Sequence, residues 1–391
     1  MKDVSTLART LVEIPSHDDE THAGDHIEAW LRDETDAAVE RDDHGNVIAR
    51  RGSGDTTLAL VGHHDVVPPD VSQVRVSPRT DTPQTDDDTD GGLLPEDSQA
   101  GEEYVVEERD DRLYGRGAAD MKGAVAAAMC AFRDATLPSG DSSADGYELV
   151  FASFVGEELG GVGARGAIED GFVPDYAVVG EGSTGYSADG VTDVAIAHRG
   201  RRASTISVEG TAAHASEPAV GVNAIYRAVD AIDVVRELPF PETTVLGQQM
   251  EGSLAVTEID GGSAWNVIPD SCTVTIDERT VPDDRAPLER VEELPGVTLT
   301  IDQDLPPMAC SEGWFAELVL DAASASQRRE PAHVLKPHAT DAGWLASAGT
   351  TCVVCGPAEP GEAHTDSESV SISVLDRCYE IYRTVAEGFT P

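Results

Sequence analysis

The first 35 residues place apolar side chains at a helical period: Leu7, Leu11 and Ile14, then Ile27, Trp30 and Leu31. Positions three and four apart share one helix face, so this stretch predicts amphipathic helices. Short apolar runs follow at Val47–Ala49 and Thr57–Val61, the second ending at Gly62-His63. Runs of this length predict buried strands. Residues 71–112 interrupt the pattern. Within them Thr80–Glu103 is nearly all Asp, Glu, Thr, Gly, Pro and Gln, too polar to bury a core, and predicts a disordered acidic insertion whose role is solvation.

The pattern then resumes. An alanine-rich helix is predicted over Ala124–Ala135, and a strand over Tyr147–Val155 that ends at Gly156-Glu157-Glu158. A Gly-punctuated helix at about 160–170 leads to a strand over Asp175–Gly180, ending at Glu181. Strands alternating with helices predict an α/β fold around a mainly parallel sheet. From residue 194 the texture changes. Val194–Gly210 reads as a long strand-pair segment, Asn223–Leu238 as an amphipathic helix, and Leu254–Ile259 and Cys272–Asp277 as period-two strands. A polar helix is expected over Arg285–Leu294 and a strand over Val297–Ile301. These elements predict a small α+β, ferredoxin-like unit inserted into the larger one. Helix Trp314–Ala325, strand Thr351–Val354 and a last helix over Ser369–Glu387 return to the first pattern. The expected division is 1–195 and 307–391 for the larger domain, 196–306 for the insert. A length of 391 residues suits such a division.

Charge changes the picture most. Asp and Glu number 73 against 27 Lys and Arg, a formal net charge of −46. Such a surface repels phosphate backbones and anionic membranes, so no nucleic-acid or membrane partner is expected. The longest apolar runs, such as Leu149–Val155, fall far short of the ~20 residues of a membrane helix. The Met1-Lys2-Asp3-Val4 start shows no basic segment followed by an apolar one, so no secretion signal is expected. Lysine occurs only at Lys2, Lys122 and Lys336. An acid-rich, lysine-poor chain with 40% hydrophobic residues predicts a folded cytoplasmic protein adapted to high salt, rather than a disordered acidic one. The six cysteines are scattered. The lone CxxC, Cys352 and Cys355, lies in a valine-rich strand and reads as core packing in a reduced compartment.

Candidate chemistry collects where strands end. His63 and Asp65 point to one side at i and i+2, and His64 to the other. Asp120 immediately precedes a helix. Glu157 and Glu158 end one strand, Glu181 ends another, and His364 lies in the loop after a further one. Taken singly each is weak; an Asp before a helix is ordinarily an N-cap. Together they matter, because ligands of open α/β sheets bind outside the carboxyl ends of strands. Imidazole nitrogens and carboxylate oxygens are ordinary zinc ligands. One consistent reading shares Asp120 between two ions, His63 and Glu181 completing one and Glu158 and His364 the other. Such a pair polarises a carbonyl and acidifies a water held between the ions. Asp65 would orient His63 through its second ring nitrogen. Glu157, beside ligand Glu158, is the natural base for the water proton and the later acid for the leaving amine.

These residues also carry a family resemblance. Gly62-His63-His64-Asp65-Val66-Val67-Pro68, Gly115-Arg116-Gly117-Ala118-Ala119-Asp120-Met121-Lys122-Gly123, Gly156-Glu157-Glu158, Val178-Val179-Gly180-Glu181 and Ala363-His364-Thr365 resemble the dizinc deacylases. That family includes succinyl-diaminopimelate desuccinylase, acetylornithine deacetylase, aminoacylase and glutamate carboxypeptidase. The likeness runs nearly end to end, apart from the acidic insertion. It implies the metal ligands just reasoned, two divalent ions (zinc by default, cobalt or manganese in the same set), and a cis peptide after Asp120. It implies that the 196–306 unit is a lid and dimerisation domain of a homodimer. It implies that His214, in Gly210-Thr211-Ala212-Ala213-His214-Ala215-Ser216, stabilises an oxyanion, often in the partner subunit's site. It further implies substrate contacts by Arg201, Asn266, Arg279 and Thr340. The activity so implied is hydrolysis of the amide of an N-acyl amino acid. Succinyl-diaminopimelate comes first, acetylornithine or another N-acyl amino acid second, and a dipeptide third. A non-catalytic scaffold on the same fold is the remote alternative, disfavoured because all five ligands and the base are present.

The charge carries its own prediction. At molar salt the Debye length shrinks to ~3 Å and self-repulsion is screened. The melting temperature should therefore rise steeply from dilute buffer to molar KCl; a melting curve unmoved by salt contradicts this reading.

Overall fold

The computed structural model describes residues 4–76, 102–137 and 146–390. Most of the acidic run Thr80–Glu103 lies outside them. Its last two residues, Glu102 and Glu103, stand in the strand Glu102–Tyr104, antiparallel to Val74–Val76.

The heart of the larger unit is a nine-stranded sheet. Its centre is parallel: Tyr147–Phe154, Thr56–His63, Tyr176–Val179 and Thr351–Val354, in that order. Antiparallel strands flank it, Val47–Gly52 and Ala38–Arg41 on one side, Val194–His198 and Met308–Ala309 on the other. His333–Lys336 pairs parallel to Val194–His198. The uninterrupted apolar runs are explained by burial on both faces. Leu58 and Leu60 join one buried cluster, with helices Val4–Glu13, Gly123–Asp134, Gly313–Ala325 and Ile372–Gly388. Ala59 and Val61 join the other, under Val162–Glu169 and Asp341–Ala348. Alternate residues of one strand thus serve opposite layers. The helix Gly123–Asp134 is buried on every side from Gly123 to Phe132. That explains its alanine content, since small side chains let neighbouring helices approach.

The strand pair expected over Val194–Gly210 divides at Arg199-Gly200. Val194–His198 belongs to the large sheet, and Arg201–Glu209 to a separate four-stranded one. The latter runs Ser253–Gly261, Ser271–Arg279, Arg201–Glu209, Val297–Leu305, antiparallel throughout. Helix Ala224–Glu237 follows the first strand in the chain, and a short helix over Leu288–Glu293 follows the third. This βαββαβ order is the ferredoxin-like pattern. One sheet face is buried against these helices through Ile206, Val208, Val274 and Ile276, so its strands alternate buried and exposed residues. Asn223 caps the long helix by accepting from the Ile225 and Tyr226 amides.

Some expected elements are corrected. The polar helix over Arg285–Leu294 is a 3-10 helix over Leu288–Glu293, because Pro287 and Pro295 leave seven residues between them, too few for a stable α-helix. The last helix begins at Ile372; Ser369–Ser371 instead pairs with Arg112–Tyr114 as a strand. The hairpin Glu242–Val245/Gln248–Glu251, the strand His333–Lys336 and the helix Asp341–Ala348 are additional. All six cysteines are free and buried, and Cys352 and Cys355 are core residues. No helix among the described residues is long and apolar enough to cross a membrane.

One close approach connects the sheet to its functional rim. Gly356, after Thr351–Val354, lies against the carbonyls of Gly180 and Glu181, where a Cβ would overlap both oxygens. Its amide donates to Ser183 Oγ at 3.0 Å and its carbonyl accepts from the Ser183 amide at 3.1 Å. Gly356→Ala should lower unfolding stability by about 1–3 kcal/mol, as other overpacking substitutions do. Chemical denaturation measures this, and an unchanged midpoint contradicts the packing described.

Candidate metal centre

Three neighbouring parallel strands deliver acids and a histidine to one rim. His63 is the last residue of Thr56–His63 and is 1% exposed. Its Nδ1 faces Asp65 Oδ1 at 3.2 Å, and its Nε2 lies 3.1 Å from Asp120 Oδ1 and 3.4 Å from Glu181 Oε1. Asp65 Oδ2 accepts from the Glu158 amide at 3.0 Å, so one carboxylate ties two strand ends together. His64 turns the other way, onto Ser153 Oγ at 2.8 Å, and burial pushes its imidazole down to about 3. The i, i+2 pattern of the strand thus separates the two histidines.

Asp120 precedes the buried helix, and its peptide to Met121 is cis. The Ala119 and Asp120 amides both donate to Glu368 Oε1, at 3.0 and 3.1 Å, while Glu368 also pairs with Arg116. Asp120 is therefore held from behind. In front, its Oδ2 lies 3.1 Å from His364 Nε2, which is 2.8 Å from Glu158 Oε1.

Two donor groups result. His63, Glu157 and Glu181 lie within mutual ligand reach, as do Asp120, Glu158 and His364, each set within 4.8 Å. Asp120 touches a histidine of each group with a different oxygen. Glu157, expected as a base, also stands within reach of the His63 group. Four carboxylates converge here, and their fields dominate the local titration. The hydrogen bonds to Asp120 and Glu158 raise His364 to about 10. Burial alone would lower His63, but Asp65, Asp120 and Glu181 together hold it well above the usual imidazole range. Burial acts first to raise Glu157, and neighbouring Asp341, Glu181 and Asp120 reinforce it. The same burial would raise Asp120, but the bonds from His364 and His63 overturn it and hold Asp120 low. A compact set of imidazole nitrogen and carboxylate oxygen, with this much negative charge, fits two divalent cations of the zinc type.

A cavity of about 310 Å³ opens onto both groups, within the size range of small-molecule sites. Tyr186, Lys336, His338 and Glu359 complete much of its wall. The structure brings the five expected ligands, Asp65 and Glu157 to this one place. It does not bring the other expected residues to the cavity wall. Arg201 Nε and Arg279 Nε share Asp277, at 2.9 and 2.8 Å. His214 is exposed on the ferredoxin-like unit, with Nδ1 2.7 Å from Ser216 Oγ, and strand Ala213–His214 pairs beside Asn266. Thr340 is buried; its Oγ1 caps the helix Asp341–Ala348 and lies 3.2 Å from His198 Nε2. Lys336 and Glu368 are among the site residues not foreseen. The rarity of lysine could have singled out Lys336, whereas nothing in the sequence marked Glu368.

The profile described as Peptidase family M20/M25/M40 matches residues 59–388. The chain belongs to this family. It is a hydrolase of the M20 type, and the family is metal-dependent. A curated relative, succinyl-diaminopimelate desuccinylase of Xanthomonas campestris pv. campestris, is 28% identical over 360 residues, covering 88% of this chain and 86% of its own. A putative succinyl-diaminopimelate desuccinylase of Mycobacterium tuberculosis is 25% identical, over 98% of this chain and 97% of its own. Among solved structures, aminopeptidase PepT from Bacillus cereus superposes with a TM-score of 0.75 at 18% identity, covering 98% of this chain and 97% of its own. A dinuclear metal-binding M20 peptidase from Bacillus subtilis gives 0.66 at 15% identity, covering 98% and 96%. These likenesses establish the M20 fold.

The M20 chain carries a pH signature outside the candidate metal-ligand groups. Burial holds His198 down to about 4, so the folded state stays neutral where the unfolded chain takes up a proton. Below the ordinary histidine pKa of about 6.5 the unfolded state binds more protons, and stability falls toward pH 4 by up to ~1.4 kcal/mol per unit. Replacing His198 by Gln should flatten this slope relative to the parent. Equal slopes for the two proteins contradict it.

Proposed function

We propose that this protein is a dinuclear-metal amidohydrolase that cleaves the amide of an N-acyl amino acid, most nearly in the manner of succinyl-diaminopimelate desuccinylase. The observation that carries the reading is Asp120, whose two oxygens each lie 3.1 Å from a different histidine, His63 and His364. In this reading His63, Asp120 and Glu181 hold one ion, and Asp120, Glu158 and His364 the other. When bound, such a pair acts as a Lewis acid on the carbonyl and lowers the pKa of a water.

The chain's own residues supply the rest. Asp65 fixes the orientation of His63 through Nδ1. Glu157 takes the proton from the attacking water and returns it to the departing amine. Its raised affinity for a proton suits both halves of that task. His214 stabilises the carbonyl oxygen once the 196–306 unit, or that of a second copy, brings it to the cavity. Exposed Trp265, Tyr226 and Ile259 on that unit, at 96%, 71% and 52%, support its use as a homodimer surface. Arg201, Arg279, Asn266 and Thr340 would assist substrate binding in the closed arrangement. The acid-rich surface supports a high-salt cytoplasm as the setting, and zinc is the first choice of metal.

The two relatives named desuccinylases support the substrate order. Acetylornithine-type deacylation and dipeptide hydrolysis use the same machinery. A panel in molar KCl with added zinc or cobalt separates them by kcat/KM. Succinyl-diaminopimelate should lead acetylornithine, simple N-acyl amino acids and dipeptides by orders of magnitude. Glu157→Gln should lower kcat by about 10²–10⁴-fold or more with metal content intact. Full activity in that variant, or a panel led by dipeptides, contradicts the proposal.

A further inference from the structure

The cavity over the metal-ligand groups is walled by five carboxylates, those of Asp120, Glu157, Glu158, Glu181 and Glu359. Among the described residues that line it, Lys336 is the one Lys or Arg. The chain has three lysines, at positions 2, 122 and 336. Lys122 and Lys336 are both buried, at 0% and 7% exposure. Lys122 spends its charge in the interior, donating to the Ile14 carbonyl at 2.6 Å. Lys336 instead brings its ammonium to the cavity wall.

The position of this ammonium is well defined. Lys336 ends the strand His333–Lys336, in register with His198, and its carbonyl accepts from the Arg199 amide. Its Nζ donates to the Gly182 carbonyl at 2.9 Å and, at a longer 3.4 Å, to Glu181 Oε2. An ammonium has three N–H donors, so one direction remains for a ligand. The other oxygen of Glu181 faces His63 Nε2 at 3.4 Å. The ammonium therefore lies one carboxylate's width from the proposed metal centre. The arginines that sequence suggested as clamps, Arg201 and Arg279, are engaged with Asp277 and do not line this cavity.

We propose that Lys336 forms a carboxylate subsite that selects substrates carrying a carboxylate within a few bonds of the scissile amide. The assignment rests on the amidohydrolase reading above and deepens it. An anionic substrate entering an acid-walled cavity is repelled except where its own carboxylate meets this fixed cation, so the residue acts on specificity through charge. Two carboxylates satisfy the geometry: that of the amino-acid portion and that at the far end of a succinyl chain.

The test measures binding, so that it stands apart from turnover. Metal-loaded Glu157→Gln protein, with and without Lys336→Met, is titrated calorimetrically in molar KCl with N-succinylglycine, N-butyrylglycine and N-succinylmethylamine. Lys336→Met should weaken N-succinylglycine at least 30-fold, and weaken one truncated probe less than threefold. An unaffected N-butyrylglycine identifies the acyl carboxylate as the partner; an unaffected N-succinylmethylamine identifies the amino-acid carboxylate. Equal weakening of all three probes, lost metal in the variant, or no measurable binding by any probe overturns the subsite. If the probes discriminate as expected while the Glu157-containing protein hydrolyses no amide, the hydrolase reading falls and the subsite stands.

Discussion

The structure turns on one carboxylate placed between two imidazoles. Asp120 offers one oxygen to His63 and the other to His364, and everything near it serves that placement. Glu368 and Arg116 restrain its backbone from behind. Asp65 faces His63 Nδ1 and ties the end of one strand to the start of the Glu157-Glu158 turn. Concentrating this much negative charge in a half-buried space is costly unless cations compensate it. The strands that carry these residues are buried on both faces between helix layers, so the scaffold holds the like charges together against their repulsion.

Charge works at two scales in this molecule. A net charge of −46 acts over the whole surface and responds to salt. Inside the cavity the distances are short and partly shielded from solvent, so ionic strength has less hold there. In the proposed reading a substrate carboxylate is recognised locally, by Lys336, whatever the medium. The ferredoxin-like unit keeps its own buried cluster and its own sheet. The chain passes into it at Arg199-Gly200 and returns between Leu305 and Met308, so both crossings adjoin the strand Val194–His198 and its partner Met308–Ala309.

Much of this was legible in the sequence because its signals were periodic or local. Two-face burial wrote Thr57–Val61 and Thr351–Val354 as unbroken apolar runs. Strand alternation separated His63 from His64. One-face burial wrote the alternation of Cys272–Asp277. What could not be read depends on partners distant in sequence. Glu368 looks like one more acid in an acidic chain until its Oε1 is seen accepting the Ala119 and Asp120 amides. His333–Lys336 is short and carries two basic residues, so pattern alone did not mark it as a strand. The 3-10 helix at Leu288–Glu293 shows the opposite failure, a helical composition cut short by its flanking prolines. Arg201 and Arg279, substrate contacts by resemblance, share Asp277, a pairing that only the fold reveals.

The central claim is that Asp120 is shared by two metal ions. Anomalous diffraction from crystals of the zinc-loaded protein, recorded on both sides of the zinc absorption edge, tests it most directly. The account predicts two zinc peaks per chain, one on each side of Asp120, with His63 and Glu181 at the first and Glu158 and His364 at the second. A single peak, or two peaks that do not share Asp120, would contradict it.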